Sequence, residues 1–455
     1  MNQYPHELSG GMRQRVMIAM AMLCNPQVLL ADEPTTALDV TMQAQVLDLM
    51  DDLRRETNTS IALITHDMGV VARMCQRIIV MRNGVIVEAG AVDEIFFNPQ
   101  HDYTKMLLTA VPRIDHVDRG NRPTIAPVTE SDPILRVKDM NIHFPIRVKG
   151  GLWGRTTMLR AVDGVNFDLH QGETLGVVGE SGCGKSTLAR GVLNLIPPTM
   201  GTVAWLGHDI SGWDRGQMRE LRKDLQIVFQ DPLAALNPRM TIGASIAEPL
   251  KLHASEMTKA ERTVKVRDML AQVDLDPNMI NRYPHELSGG QNQRVGIARA
   301  IVTEPKLVIC DEAVSALDVS VQAQVIDLLI RLQKKMGLAI MFISHDLSVV
   351  REVSHRIMVL YLSRAVEIAG RDQLYGDPRH PYTKALIAAV PTPDPVVERA
   401  KKRTLLVGDL PSPLDSRAQL RFMPSKAIDD PDAEQYRPTM IEVDVGHFVA
   451  EHDTT

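Results

Sequence analysis

The octapeptide Tyr-Pro-His-Glu-Leu-Ser-Gly-Gly occupies residues 4–11 and returns unchanged at residues 283–290. From residue 4 to residue 283 the offset is 279, and the same offset relates acidic and histidine residues further along the chain. The matched pairs are Asp32 and Asp311, Glu33 and Glu312, Asp39 and Asp318, and His66 and His345. A register kept over so many residues indicates two copies of one domain.

The two copies differ in what precedes the octapeptide. Only three residues precede it in the first copy, whereas a long stretch precedes it in the second. The second copy is expected to begin near residue 134, so on the repeat's register about 146 residues are absent before Met1. We expect a misplaced or displaced start, from gene calling, a frameshift or assembly; the alternative is a real truncated product.

The composition is that of a globular protein without a nucleic-acid surface. The chain is 44% hydrophobic and 23% charged, with a net charge of −6 and only 4% aromatic residues. These values argue against a basic or base-stacking surface, so no nucleic-acid partner is expected. The four cysteines form no CxxC pair, which makes zinc sites and disulfide frameworks poor hypotheses. Apolar runs fall far short of the roughly 20 residues that span a membrane, so membrane association must come through a partner.

The sequence predicts four segments. Residues 1–112 are the latter part of a first domain, and residues 113–133 are a proline-containing linker. Residues 134–391 form a complete second domain, followed by a proline-rich tail at 392–455 that lacks cysteines. In the tail, residues 405–407 and 440–445 are candidates for short strands. The first domain is expected to expose apolar surface that its earlier strands would cover.

Strands alternate with helices in the second domain. Apolar runs at 174–178, 307–310 and 338–343 each end at a glycine, acidic or histidine tip, as buried strands of a parallel sheet do. Ligands bind at the carboxyl ends of such strands. The fold class predicted is therefore α/β with a largely parallel sheet.

A phosphate-binding loop follows the first of these strands. Gly-Glu-Ser-Gly-Cys-Gly-Lys-Ser at residues 179–186 fits GxxxxGK[ST] between a strand and a helix, the context that supports the motif. Its amides and the helix N-terminus would bind phosphate oxygens. Lys185 would reach the β- and γ-phosphates, and the Ser186 hydroxyl would bind Mg²⁺. The alternative is a glycine-rich turn that binds nothing.

Three other strand tips carry polar groups. Asp311 and Glu312 end a buried run, where the first carboxylate would hold Mg²⁺ through water and the second would polarise the attacking water. Gln230 and His345 end two further runs, and each alone is equally explained as an ordinary surface group.

With these motifs in hand, residues 4 to about 391 resemble the nucleotide-binding domains of ABC transporters, P-loop NTPases of the ABC type arranged in tandem. The octapeptides resemble the ABC signature. The resemblance implies ATP contacts by eight residues of the second domain: Gly179, Ser181, Gly182, Gly184, Lys185, Ser186, Thr187 and Asp311. It implies signature contacts to the γ-phosphate by residues of both copies: Ser9, Gly10, Gly11, Ser288, Gly289 and Gly290.

The resemblance also assigns the remaining roles. Gln230 is the Q-loop residue, Glu312 the general base and His345 the switch histidine, while Asp39 and Asp318 lie in the D-loops. The first-copy equivalents of the carboxylates and the switch histidine are Asp32, Glu33 and His66. Ser186, Gln230 and Asp311 are implied ligands of Mg²⁺. Phe144 is the candidate to stack on adenine, with Trp153 a weaker candidate.

A narrower resemblance concerns residues 229–240 and 380–386, which are similar to importers of the dipeptide, oligopeptide, nickel and glutathione class. It implies an ATPase that uses ATP and Mg²⁺ at the cytoplasmic face of the bacterial inner membrane, as a peripheral subunit. The implied partners are two membrane permease subunits and, through them, a periplasmic or extracellular solute-binding protein; self-association is a further expectation. Because only the second copy has a phosphate loop, at most one competent ATP site per chain is expected, formed with the first copy's signature.

Two other interpretations stay open. The chain could be a truncated, inactive fragment of such a subunit. It could also be an ABC ATPase acting on ribosomes or DNA, although the short segment 113–133 and the unclustered cysteines disfavour this. The sequence does not name the transported solute.

Overall fold

A computed structural model describes most of the chain. The described residues are 4, 8, 10–36, 38–112, 114, 132–148, 155–401, 411, 414–415, 418–423, 425 and 436–453, without the side chains of residues 148, 155 and 419. Several predictions lie outside them: Ser9, Trp153, the strand at 405–407 and nearly all of the linker at 113–133.

The chain forms two compact units that interleave along the sequence. The first unit contains Met1–Val117, Asp318–Ala323 and Thr383–Asp409, and the second contains Asp118–Leu317, Gln324–Tyr382 and Leu410–Thr455. The domain limits predicted from the repeat stay a prediction.

The first unit pairs its strands two by two. Its strands are β1 (Val28–Asp32), β2 (Ser60–Ile64), β3 (Arg77–Arg82) and β4 (Val85–Ala91). Its first five helices are α1 (Gly10–Met22), α2 (Val40–Thr57), α3 (Met68–Met74), α4 (Val92–Phe97) and α5 (Asp102–Ala110). Strands β1 and β2 are parallel, and β3 and β4 are antiparallel.

Apolar side chains of this unit divide between a small core and an exposed sheet face. Val46, Leu47 and Met50 of α2 are buried in the core. By contrast, Leu30 of β1 is 75% exposed and Ile64 of β2 is 58% exposed. The expected exposure of apolar surface on the first copy is confirmed.

The second unit holds most of the remaining elements. Its strands are β5 (Leu135–Val148), β6 (Arg155–Leu169), β7 (Thr174–Val178), β8 (Met200–Trp205), β9 (His208–Asp209), β10 (Leu225–Val228), β11 (Leu307–Asp311), β12 (Ala339–Ile343), β13 (Arg356–Tyr361), β14 (Arg364–Gly370), β15 (Met440–Asp444) and β16 (His447–Ala450). The helices from residue 185 onward are α6 (Lys185–Val192), α7 (Arg215–Leu221), α8 (Pro232–Ala235), α9 (Ile242–His253), α10 (Lys259–Gln272), α11 (Gly289–Ile301), α12 (Val319–Met336), α13 (Leu347–Val353), α14 (Arg371–Gly376), α15 (Pro381–Ala389) and α16 (Pro395–Ala400). Short 3-10 helices lie at Pro277–Asn281, Pro284–Glu286 and Ala418–Phe422. Of these, the start of α12, most of α15 and all of α16 belong to the first unit.

An eight-stranded sheet organises the second unit. Its order is β10-β11-β12-β7-β13-β14-β16-β15, with parallel pairing from β10 to β13 and antiparallel pairing beyond. A second, antiparallel sheet has the order β6-β5-β8-β9. The strands predicted at 174–178, 307–310, 338–343 and 440–445 are confirmed.

Burial explains why the parallel strands are continuous apolar runs. Every residue of β7, β11 and β12 is buried, so both faces of these strands are covered. Because β10, β11, β12 and β7 are parallel neighbours, their carboxyl ends lie side by side at one edge of the sheet. That edge therefore collects the residues that follow all four strands.

Candidate active site of the second unit

The phosphate loop joins β7 to α6 through glycines with positive φ. Gly179, Gly182 and Gly184 have φ angles of 151°, 78° and 98°. A Cβ at Gly184 would lie 2.0 Å from the carbonyl oxygen of Ala161, so only glycine fits there. The loop thus approaches β6 closely and leads into the N-terminus of α6, where backbone amides can bind an anion.

Lys185 opens α6 and is buried, with 5% of its surface exposed. Its Nζ donates hydrogen bonds to the carbonyl oxygens of Gly179 at 2.6 Å and Glu180 at 3.0 Å. The lysine ammonium group therefore lies inside the phosphate loop, where it can contact bound phosphate oxygens.

Ser186 and Asp311 come together from α6 and β11. The Ser186 hydroxyl donates to Asp311 Oδ1 at 2.9 Å. Burial raises the pKa of Asp311, although the hydrogen bond from Ser186 opposes this. A hydroxyl and one carboxylate are oxygen donors of the kind that Mg²⁺ takes together with substrate phosphates and water. No group of three histidine, cysteine or acidic side chains suited to a metal occurs in the described part of the chain. The hydroxyl of Ser186 and the carboxylate of Asp311 fit a magnesium ion whose other ligands would be phosphate oxygens and water.

Glu312 follows Asp311 in a left-handed backbone conformation, with φ at 50°. Its carboxylate accepts a hydrogen bond from Gln230 Nε2 at 2.9 Å and lies 3.5 Å from Nδ1 of His345. The hydrogen bond with His345 lowers the pKa of Glu312, and the same contact raises the pKa of His345. The structure therefore brings the three side chains together, with Glu312 ionised at its centre.

Other predicted residues of the second copy lie in the phosphate loop, on α6, on β5 and just before α12. Ser181 is exposed in the loop, Thr187 is half-buried on α6, and Phe144 is half-buried on β5, packed against the core of the second unit. Asp318 immediately precedes α12.

The signature of the second copy begins α11. The Ser288 hydroxyl accepts a hydrogen bond from the amide of Gln291 at 3.3 Å, and the Gln291 side chain accepts one from the amide of Ser288 at 3.0 Å. This reciprocal capping box fixes the start of the helix. Gly289 is exposed and Gly290 is buried.

The first unit repeats part of this geometry. Glu33 also has a positive φ, 43°, and its Oε1 lies 3.1 Å from Nδ1 of His66. Hydrogen bonds from Thr36 and then His66 lower the pKa of Glu33. Gly10 and Gly11 open α1, as Gly289 and Gly290 open α11.

Two more residues of the first copy were predicted from the repeat. Asp32 ends β1, and Asp39 immediately precedes α2.

Two protein-family models match this chain, each in two separate stretches. One, described as ABC transporter, matches residues 1–36 and 162–315, and another, described as oligopeptide/dipeptide transporter, C-terminal region, matches residues 87–133 and 366–418. The glutathione import ATP-binding protein GsiA of Pectobacterium atrosepticum is 46% identical over 99% of this chain and 73% of its own length. The chain belongs to the ABC transporter family of ATP-binding proteins.

A further similar protein is GsiA of Escherichia coli K12, which is 48% identical over 92% of this chain and 70% of its own length. The solved dimeric ATP-binding cassette MJ0796 with ADP and phosphate is 27% identical over 52% of this chain and 98% of that chain, with a TM-score of 0.47. The predicted α/β fold of the ABC type and the predicted family are confirmed. The chain is an ATP-binding component of an ABC transporter of the oligopeptide/dipeptide type.

Sequence reasoning missed one contact at the ABC phosphate loop. The hydroxyl of Tyr382 donates to Glu180 Oε2 at 3.3 Å, across 202 residues of chain. A signal was available, because Tyr-Thr-Lys at 382–384 repeats Tyr-Thr-Lys at 103–105 on the offset of 279. The repeat does not reveal the contact, however, since nothing in it indicates which element the tyrosine meets.

Proposed function

We propose that this chain hydrolyses ATP at the site of the second unit and thereby drives import of peptides or a closely related small solute. The observation that carries the proposal is the convergence of three groups at one sheet edge. These are the loop with Lys185, the pair of Ser186 and Asp311, and the cluster of Gln230, Glu312 and His345. Phosphoryl transfer to water needs this combination of charge and positioning more than it needs covalent chemistry.

Each group has a definite part in the reaction. The loop amides and Lys185 bind the β- and γ-phosphates, and Ser186, Asp311 and Gln230 would hold Mg²⁺. When bound, that ion neutralises charge on the phosphate oxygens. Glu312, kept ionised by its partners, accepts a proton from water as the water oxygen attacks the γ-phosphorus and the bond to the β-phosphate oxygen breaks. His345 holds the Glu312 carboxylate in place.

A groove beside Gln230 supports the proposal of permease partners. It has a volume of about 290 Å³ and lies between β10, α8, α9 and α11. Apolar side chains with high exposure surround it, among them Phe229 at 42% and Leu252 at 59%, and an ion pair joins Glu248 to Arg299 at 2.7 Å. An amphipathic helix from the cytoplasmic side of one membrane permease subunit is the occupant that we propose.

The names of the relatives support our proposals for the class of solute and the location. GsiA is named for glutathione import, a tripeptide-like solute compatible with the oligopeptide/dipeptide C-terminal region. We place this chain at the cytoplasmic face of the inner membrane, attached through its permeases and served by a solute-binding protein on the other side. Within the described residues, no helix is both long and apolar enough to cross a bilayer.

The test is uptake in the source cell after deletion of this gene. Radiolabelled glutathione and a radiolabelled dipeptide would be followed in cells carrying wild-type protein, Lys185→Ala, or the exposed-lysine control Lys259→Ala. We expect wild type and Lys259→Ala to restore uptake of at least one solute and Lys185→Ala to restore neither. Equal uptake of both solutes with and without the gene would contradict the proposal.

A further inference from the structure

Tyr382 is a buried tyrosine whose hydroxyl meets the phosphate loop. Its side chain has no exposed surface. The hydroxyl donates to Glu180 Oε2 and accepts a hydrogen bond from the Glu180 amide, both at 3.3 Å. Tyr382 thus contacts the backbone and the side chain of one loop residue.

Glu180 is the loop residue that links this contact to the phosphate-binding Lys185. Its carbonyl oxygen accepts the hydrogen bond from Lys185 Nζ at 3.0 Å, and only 3% of its surface is exposed. A buried carboxylate is costly unless donors satisfy it, so the tyrosine hydroxyl stabilises this loop conformation. Any shift of Glu180 would move the carbonyl that holds Lys185.

Tyr382 is itself held by residues around it. Its ring lies 4.6 Å from that of Tyr361 and 6.3 Å from that of Phe422, measured between centroids. Its amide donates to Nδ1 of His380 at 3.1 Å. Burial lowers the pKa of His380 to about 3, which keeps the imidazole neutral and its nitrogen able to accept.

The last part of the chain also contacts the residues that hold Tyr382. We define the C-terminal segment as residues 418–423 and 436–453. Its strand β16 pairs with β14, where Glu367 lies opposite Val449. Glu367 has no exposed surface and accepts hydrogen bonds from the amide of His380 at 3.0 Å and from Nε2 of His447 at 2.7 Å. One carboxylate therefore joins the C-terminal segment to the turn that precedes Tyr382.

The first unit contains the same chain of hydrogen bonds, from a glutamate through a histidine to a tyrosine, which we call the Glu-His-Tyr frame. Glu88 accepts the amide of His101 at 3.1 Å, and His101 Nδ1 accepts the amide of Tyr103 at 3.1 Å. There the ring of Tyr103 is covered by the guanidinium of Arg82 at 4.9 Å. The Glu-His-Tyr frame is thus a repeated structural element, and in the second unit it ends on the phosphate loop.

We propose that Tyr382 is a positioning residue for ATP binding: it fixes Glu180, and through it Lys185, while the C-terminal segment holds Tyr382 in place through His447 and Glu367. This rests on the proposed ATP site of the second unit. The segment that accompanies the oligopeptide-type C-terminal region then affects nucleotide affinity without touching the nucleotide.

The first experiment removes only the hydroxyl, with Tyr382→Phe in the full chain. Tyr382→Phe removes both hydrogen bonds to Glu180, one of them to its buried carboxylate, and this predicts a Kd for MgATP, measured with a fluorescent ATP analogue, that is roughly five- to tenfold higher. KM for ATP should rise with it while kcat stays within about twofold, because the defect lies in the binding of phosphate before chemistry. The control Tyr103→Phe, the matching tyrosine of the first unit, should leave Kd unchanged. Wild-type affinity in Tyr382→Phe would overturn the inference.

A second pair of variants tests the link to the C-terminal segment. His447→Ala should also raise the Kd for MgATP, and His447→Gln, which retains a donor for Glu367, should restore most of the affinity. In the Tyr382→Phe background His447→Ala should add nothing, since both act on Glu180. If the double variant multiplied the effects of the two single substitutions on Kd, the C-terminal segment would not act through Tyr382, and this part of the inference would be wrong. Failure of the proposed function looks different: wild type would then bind no MgATP, or Lys185→Ala would bind it equally well.

Discussion

Glu312 shows how much a single position is constrained by its chemistry. A glutamate with φ at 50° has a left-handed backbone that is costly for a residue with a side chain, and its carboxylate contacts Gln230 and His345. The same conformation at Glu33 beside His66 shows that the backbone feature belongs to the motif. The sequence predicted Glu312 as the general base and Glu33 as its first-copy equivalent, but the left-handed backbone follows from the sharp turn after the strand, which residue types alone do not specify.

The titration of His345 reports on its interaction with Glu312. Because Glu312 raises the pKa of His345 above its ordinary value of 6.5, an NMR titration of the His345 ring should give a midpoint above 6.5. Glu312→Gln removes the negative charge and should lower that midpoint. An unchanged midpoint would mean that the two side chains do not interact.

The same shifts set the pH range over which the pair stabilises the fold. The pKa of Glu312 is lowered from 4.5, so its contribution is complete above pH 4.5 and is lost as pH falls through the folded value. The pKa of His345 is raised from 6.5, so its contribution is complete below pH 6.5 and is lost as pH rises through the folded value. The pair therefore stabilises the protein fully from about pH 4.5 to 6.5.

Element by element, the second unit depends on how helices begin and how closely they pack on strands. The signature helix α11 starts with the capping box of Ser288 and Gln291, whereas the first copy has Met12 where the second has Gln291. The resemblance assigned Ser288 to phosphate binding, and its capping role comes in addition.

Gln291→Met should destabilise the second unit, because the amide of Ser288 loses its acceptor. A loss of about 1 kcal/mol in the free energy of unfolding is expected from denaturant titration. Gln291→Glu keeps an acceptor at the same place and should remain near wild type. Equal stability of the methionine variant and wild type would contradict a structural role for the box.

Gly176 of β7 allows α13 to approach the central strand. A Cβ at this position would lie 2.5 Å from Oγ of Ser354 and 2.5 Å from Cγ1 of Val350. Gly176→Ala should therefore cost about 1–3 kcal/mol of stability through overpacking, measured by denaturant unfolding. Gly212, with nothing within 4 Å of its Cβ position, gives the matched control Gly212→Ala, for which no loss is expected. Similar stability in the two variants would contradict this packing argument.

For the molecule as a whole, the sequence predicted many strands and site residues of the second unit but missed the contacts between segments that are far apart in the chain. Apolar runs with polar tips predicted β7, β11 and β12 and the residues that follow them, because strand burial and ligand chemistry are both local in sequence. The pairing of β16 with β14 and the contact of Tyr382 with Glu180 join residues far apart in the chain. No local pattern encodes such contacts, since they depend on the order of strands in the finished sheet.

At the scale of the whole molecule, the proposal that a permease helix docks in the groove beside Gln230 can be tested by substitution in its wall. Leu252→Arg places a charge in its apolar wall and should abolish co-purification with the permease subunits while leaving MgATP binding unchanged. Leu195→Arg alters a similarly exposed leucine outside the groove and should leave co-purification intact. Retained association in Leu252→Arg would contradict the proposed docking surface.

The most direct test of the central claim is single-turnover ATP hydrolysis by Glu312→Gln beside measurement of its MgATP affinity. Because Glu312 is proposed to accept the proton of the attacking water, the variant should bind MgATP about as tightly as wild type and hydrolyse it at least about 100-fold more slowly. Hydrolysis at the wild-type rate would contradict the account, because the catalytic group would then lie elsewhere.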